Sequence, residues 1–181
     1  MWHRNSHWLA LLALVLSTLT AAVTLSREPA PAPTVAASSP APDEVSIVAA
    51  ANCPNSTAFT AHTYRAQRLV TLKDCVTVTG TVEVIRREAD GDEHVLLKLD
   101  PSFAGMTNSV NDAKQQGDLV IEPECVTTVT QSDAIGPCQG APPVPGLGLL
   151  GVGAHVTVTG PYVTDQAHLW NEIHPVESVT R

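Results

Sequence analysis

Carboxylate and imidazole side chains gather in two short segments of the 181-residue chain. The first segment supplies Asp90, Asp92 and His94, and the second supplies Asp165, His168, Glu172 and His174. Residues two apart on a strand point to the same face, so the Asp-x-His and Glu-x-His pairs within these segments each share a face. Imidazole nitrogens and carboxylate oxygens are ligands of zinc, and an oxygen-rich set around the two Asp residues suits calcium. The spacing suits a divalent-metal site, but the interpretation we favour is that the Asp residues form a turn and that the histidines fix the loops through hydrogen bonds to neighbouring acids.

Two aromatic residues near the second segment have the chemistry of ligand binding. Tyr162 and Trp170 can stack on a sugar or a base, and their alternative role is to pack against the core or the rim of the fold. A Ser or Cys nucleophile with a matching His and acid cannot be located in the sequence. We therefore assign no catalytic residue.

A β-rich domain is needed to position these side chains. Alternation of Val with Thr or Glu predicts a half-buried first strand over 72–85, and the Asp90–Gly91 turn leads into a second strand over 94–99. Further strands are predicted over 118–121, 155–159 and 172–176, the last continued by Ser178 and Val179. Val-Thr-Val-Thr-Gly occurs at 76–80 and at 156–160, and glycine after such a run suits a strongly coiled strand.

This pattern favours an all-β fold, a small five-stranded Greek-key barrel of the oligonucleotide/oligosaccharide-binding (OB) kind. In such a barrel, the loop between strands one and two lies at the same rim as the loop between strands four and five. The two segments rich in Asp and His are therefore expected to converge there.

Three segments carry a resemblance to known proteins: EADGDEH at 88–94, VTGPYV at 158–163 and HLWNEIHPV from 168 to 176. Through them the chain resembles a group of exported bacterial OB-like domains without assigned activity. The likeness covers about residues 76–179 and is most specific in the final motif. One departure is Leu169, where that group commonly has Gly. The resemblance implies the OB-like fold and supplies no activity.

The first 50 residues predict export. An uncharged run from Trp8 to Leu25 follows Arg4, so residues 1–27 are expected to be a signal peptide or a single-pass signal anchor. Residues 28–50 alternate proline with small residues, which predicts a disordered Pro/Ala-rich linker. The domain is then expected over 51–181, outside the cytoplasm and either secreted or membrane-anchored.

Four cysteines follow the linker, at Cys53, Cys75, Cys125 and Cys138. An even number in an exported chain predicts two disulfides, for which three pairings are possible. We favour the two pairs that each close a local loop, Cys53 with Cys75 and Cys125 with Cys138. No Cys-x-x-Cys spacing supports a zinc site.

The net charge of the chain disfavours one class of binding partner. The net charge is −8, and a domain that binds a phosphate backbone needs a surplus of cations, so nucleic acid is disfavoured. We expect a non-enzymatic binding or scaffold module of the cell envelope that holds a protein, a glycan or a small ligand, with no cofactor. The alternative is a metal-dependent hydrolase in which a zinc or calcium ion activates water and Glu172 acts as base.

Overall fold

The computed structural model describes Cys53 and residues 56–181. The expected signal peptide or anchor (1–27) and the expected linker (28–50) lie outside the described residues. Within the described part, no helix has the length and apolar character needed to cross a membrane.

The described residues form six strands and a few short helices. The strands are β1 Leu69–Arg87, β2 Glu93–Leu99, β3 Leu119–Ile121, β4 His155–Asp165, β5 Asn171–Ile173 and β6 Ser178–Thr180. The α-helices are α1 Ser56–Thr60, α2 Ser109–Lys114 and α3 Ile135–Cys138, and short 3-10 helices occupy Ala66–Arg68, Pro101–Met106 and Leu147–Leu149.

All six strands belong to one mixed sheet, and five of them form a ring. The ring runs β1-β2-β3-β5-β4, and β4 pairs back with β1. The β3–β5 pair is parallel, whereas the other pairs are antiparallel. The arrangement is therefore barrel-like, with β6 added alongside β4.

The two Val-Thr-Val-Thr-Gly copies lie opposite each other in β1 and β4. Val78 faces Val158 at the centre of the pairing, and the valines of both copies are buried. A β-carbon at Gly80 would lie 2.5 Å from the carbonyl oxygen of Lys98, and one at Gly160 would lie 2.3 Å from that of Pro175. Glycine is therefore required at both positions because another part of the backbone approaches closely.

The predicted fifth strand is in fact two strands. Residues 171–173 pair with one part of β4 and residues 178–180 with another, and the ladder is interrupted between them. Pro175 lies in the interruption, where it has no N–H to donate to a ladder. The short helices were also not expected, because none is long enough to show a helical period.

The first disulfide ties the start of the domain to the sheet, and the second joins two segments outside the sheet. Cys53 is bonded to Cys75 in β1, and Cys125, just after β3, is bonded to Cys138 at the end of α3. These are the two pairs that the sequence favours. Two disulfides and a strand-rich fold are consistent with an extracellular domain.

Candidate functional site

Four segments meet at one end of the ring and enclose a pocket. They are the 3-10 turn Ala66–Arg68, the turn between β1 and β2, the end of β3 and the loop between β4 and β5. The cavity has a volume of about 290 Å³, and we call it the rim pocket. Its lining consists of Tyr64, Arg65, Gln67, Arg68, Glu88, Asp90, Glu122, Ala167, His168 and Trp170.

Glu122 is the central charged residue of the site. It directly follows β3, its side chain is 4% exposed, and its two oxygens contact different imidazoles. Oε1 is 2.9 Å from Nδ1 of His94, and Oε2 is 2.8 Å from Nδ1 of His174. Burial alone would raise the pKa of Glu122, but the charges and hydrogen bonds of the two imidazoles lower it well below its usual range. Glu122 is therefore a fixed anion.

His174 lies beneath Glu122 among three carboxylates. Besides Glu122, its Nδ1 is 2.9 Å from Oε1 of Glu172, and its Nε2 is 3.0 Å from Oε1 of Glu124. Burial lowers the pKa of His174, but the charge of Glu122 and the surrounding carboxylates raise it well above its usual value. Burial and the charge of Glu122 both raise the pKa of Glu172. His174 is therefore cationic, and Glu172 has the greater tendency to hold a proton.

His94 connects this cluster to α2. Its Nε2 is 3.2 Å from Oε1 of Gln115, the residue that follows α2, and its ring meets Trp170 edge-on with 5.5 Å between the centroids. Burial lowers the pKa of His94, but its contact with Glu122 outweighs burial and raises it. Acceptors on both nitrogens fit an imidazolium.

Trp170 forms one wall of the rim pocket. Its indole N–H donates to Oε2 of Glu172 over 2.7 Å, and His168 stacks on its ring with 4.3 Å between the centroids. Nδ1 of His168 lies 2.8 Å from Oδ2 of Asp165, which also forms an ion pair with Arg68. The side chain of His168 is 48% exposed, so its outer face is open to solvent.

Asp90 and Asp92 shape the turn between β1 and β2. The backbone N–H of Asp92 donates to Oδ1 of Asp90 over 3.3 Å, as expected for turn chemistry. Asp92 is 2% exposed and accepts a 2.7 Å hydrogen bond from the backbone N–H of Cys125. Burial raises the pKa of Asp92 to about 7.

No protein-family model, curated protein or solved structure matches the chain. Its function must therefore be argued from the geometry of the site.

Tyr162 lies apart from the rim pocket. Its hydroxyl donates to the carbonyl oxygen of Met106 over 2.6 Å and accepts a 2.7 Å hydrogen bond from the side-chain amide of Asn171. Tyr162 is 7% exposed, so its role in the described structure is to join β4 to the segment before α2.

Two groups of side chains have the composition and spacing of metal ligands. In the first, Glu88, His94 and Glu122 each offer a ligand atom within 4.8 Å of the others, and Glu88 and Glu122 line the rim pocket. In the second, Asp92, Glu122 and His174 meet the same criterion and are all buried. Asp92 also lies near two sulfur atoms, but these belong to the Cys125–Cys138 disulfide.

The carboxylates that follow β3 were not predicted from the sequence. Glu122 and Glu124 flank Pro123, which marks the end of a predicted strand. Glu88 and Arg68 in the wall of the pocket were not predicted either. The available signal was the Glu-Pro-Glu triplet at the end of a buried strand, but its relation to Glu172 depends on the parallel β3–β5 pairing, in which Val120 lies opposite Glu172.

Proposed function

We propose that this chain is an exported, non-enzymatic binding module of the cell envelope whose rim pocket takes a neutral glycan. The observation that carries the proposal is the pocket itself, whose lining combines an aromatic stack with carboxylate, amide and guanidinium groups. Its volume of about 290 Å³ lies just below the range of about 300–1,000 Å³ for ligand pockets, which suits one sugar unit at the end of a chain.

The mixed charge of the lining favours a ligand with many hydroxyls. Glu88 and Asp90 can accept hydrogen bonds, whereas Gln67 and Arg65 can donate them. A hydroxyl both donates and accepts, so a sugar can satisfy both kinds of group. The exposed face of His168 offers an apolar surface for a sugar ring. An anionic polymer would instead meet the carboxylates and a chain of net charge −8.

The state of Glu122 supports binding over catalysis. A general base must accept a proton during the reaction, and this is most efficient when its pKa lies near the working pH. The two imidazoles hold the pKa of Glu122 well below its usual range, so it is a poor base. Its negative charge holds His94 and His174 in place beneath the pocket.

The topology and the N-terminal sequence support the remaining parts of the proposal. An OB-like Greek-key barrel accounts for the strand order β1-β2-β3-β5-β4 with closure onto β1, and barrels of this kind bind oligosaccharides. Two disulfides and the expected signal segment support a location outside the cytoplasm, secreted or anchored by residues 1–27.

The proposal can be tested by titration calorimetry of the full chain in mild detergent. The ligands are a panel of neutral mono- to tetrasaccharides from bacterial envelopes. We expect at least one sugar to bind with 1:1 stoichiometry, and Glu88→Gln and His168→Ala each to weaken it about tenfold or more. Glu83→Gln is the matched control because Glu83 is exposed and lies outside the pocket lining. Failure of every sugar to bind, or equal binding by all variants, would contradict the proposal.

A metal-dependent hydrolase is the second candidate, favoured by one observation. Glu88, His94 and Glu122 could together hold an ion at the floor of the rim pocket, where it could reach a substrate. In that case, the purified protein would contain metal that Glu88→Gln removes, and it would hydrolyse a pocket ligand only when loaded with metal. Binding of a sugar that is unchanged by chelator, and no turnover, would exclude this candidate.

A further inference from the structure

A second cavity, with a volume of about 630 Å³, adjoins the rim pocket. Its lining comes from two segments, the end of β1 with the start of the following turn, and the chain just after β3. Glu88 lines both cavities, so they meet at this residue. We call the second cavity the threonine groove, after three of its lining residues, Thr127, Thr128 and Thr130.

Backbone hydrogen bonds hold the threonine segment against the turn between β1 and β2. The N–H of Thr127 donates to the carbonyl oxygen of Gly91 over 2.8 Å, and the N–H of Thr130 donates to that of Ala89 over 2.8 Å. The Cys125–Cys138 disulfide closes the loop that contains the segment. The groove is therefore formed before a ligand arrives, which lowers the entropic cost of binding.

The side chains of the groove suit a ligand with many hydroxyls. A threonine hydroxyl both donates and accepts hydrogen bonds, as a sugar hydroxyl does, and Thr128 is exposed. Arg87 is 80% exposed and can donate, and its charge is balanced by Glu93 at 3.7 Å. None of the described residues that line the groove is aromatic. The groove therefore offers hydrogen bonds, whereas the stack of His168 on Trp170 offers a surface for a sugar ring.

The volumes of the two cavities set the length of the ligand. The rim pocket, at about 290 Å³, suits one sugar unit, and the groove has more than twice that volume. The groove therefore has room for about two further units. The side chain of Glu88 is 42% exposed, so a chain that passes from one cavity to the other meets its carboxylate.

We propose that the threonine groove continues the rim pocket and that the two cavities together bind a neutral oligosaccharide of about three units. This inference rests on the proposed function, in which the rim pocket takes the terminal unit. That unit lies on the exposed face of His168, Glu88 accepts hydrogen bonds at the junction, and the next two units contact Thr128 and Arg87. The site therefore selects an oligosaccharide over the corresponding monosaccharide.

The test is titration calorimetry of the full chain in mild detergent. The probes are N-acetylglucosamine, glucose and galactose, each with its own di-, tri- and tetrasaccharide. For the sugar that binds, we expect the affinity to rise about tenfold or more from one unit to three, and by less than about twofold from three to four.

Thr128→Val removes one hydroxyl with little change in side-chain size. It is expected to weaken binding of the trisaccharide about fivefold, the effect of one lost hydrogen bond, and to leave binding of the monosaccharide unchanged. Arg87→Gln, at a separate position of the lining, is expected to act in the same way. Thr71→Val is the matched control, because Thr71 is an exposed threonine of β1 outside both linings. Equal melting temperatures of the Thr128 and Thr71 variants would show that the loss does not come from unfolding.

The possible failures of the groove and of the rim pocket can be told apart. Equal affinities for the mono- and trisaccharide would overturn the groove and leave the rim pocket as a site for a single unit. A gain in affinity with chain length that persists in both Thr128→Val and Arg87→Gln would place the further units elsewhere and would also overturn the groove. Binding of no sugar at any length would overturn the proposed function and the groove with it.

Discussion

Replacing Glu122 by Gln removes a buried negative charge while preserving the shape of the side chain. Oε1 and Oε2 of Glu122 face His94 and His174 at 2.9 and 2.8 Å, and Arg68 lies 3.8 Å away. Removing one partner of a buried ion pair costs about 3–5 kcal/mol, because the other charge stays buried without compensation. We therefore expect Glu122→Gln to lower the free energy of unfolding by about 4 kcal/mol.

Glu172→Gln provides a matched control within the same cluster. Glu172 is equally buried and also contacts Nδ1 of His174, at 2.9 Å, but its pKa is raised by burial and by the charge of Glu122. A Gln amide oxygen can still accept one hydrogen bond, so the expected loss is about that of one bond, ~1–2 kcal/mol. Two residues of similar burial and geometry thus have different expected costs because their charge states differ.

Urea unfolding followed by circular dichroism, in neutral buffer with chelator, measures both variants. With a slope of about 2 kcal/mol per molar urea, Glu122→Gln is expected to shift the midpoint by about 2 M and Glu172→Gln by less than about 1 M. Equal shifts, or a larger shift for Glu172→Gln, would refute the assignment of Glu122 as the fixed anion of the site.

Three further predictions concern the scaffold. Gly160→Ala should lower the free energy of unfolding by about 2 kcal/mol or more, because the added β-carbon would lie 2.3 Å from a carbonyl oxygen. Gly151→Ala is the control, since its β-carbon would meet nothing within 4 Å, and equal urea midpoints for the two variants would contradict the prediction. Leu169→Gly should raise the free energy of unfolding by up to about 1 kcal/mol, because Leu169 has a left-handed φ of 72°, which favours glycine, and its side chain is exposed. A clear loss of stability in this variant would contradict the prediction. A hydrogen bond from Thr79 lowers the pKa of Asp100, so Asp100→Asn should reduce stability near about pH 6. The difference should shrink as the pH falls below about 4, the ordinary Asp value, and a pH-independent difference would disprove this.

The sequence predicts most of the sheet because its signals are local. The alternation of Val and Thr places Val76 and Val78 inside and marks β1, and the Asp-Gly turn marks the start of β2. The convergence of the two Asp/His segments follows from the order of the strands, and in the described structure His94 and Trp170 do meet at one end of the ring.

The residues that the sequence does not predict depend on long-range pairing. Glu122 and Glu124 are about 50 positions from Glu172 and His174, and only the parallel β3–β5 register brings them together. Asp90 and Asp92 show the limit of spacing arguments: they are two residues apart, yet one lines the rim pocket and the other is buried. Helix α2 was missed for a local reason, because its six residues depend on the capping box of Asn108 and not on an apolar period.

The indole N–H of Trp170 provides the most direct test of the rim pocket as a glycan site. The chain has three tryptophans, and Trp170 alone lies in the described residues, so Trp170→Phe identifies its signal in a ¹H–¹⁵N spectrum. Trp170 forms a wall of the pocket, and its indole N–H donates a hydrogen bond to Glu172. We therefore expect a ligand in the pocket to change the magnetic environment of this proton. We predict a saturable shift of this signal on addition of a neutral envelope sugar, greatly reduced in Glu88→Gln. An unmoved Trp170 signal at sugar concentrations that saturate binding elsewhere would contradict the account.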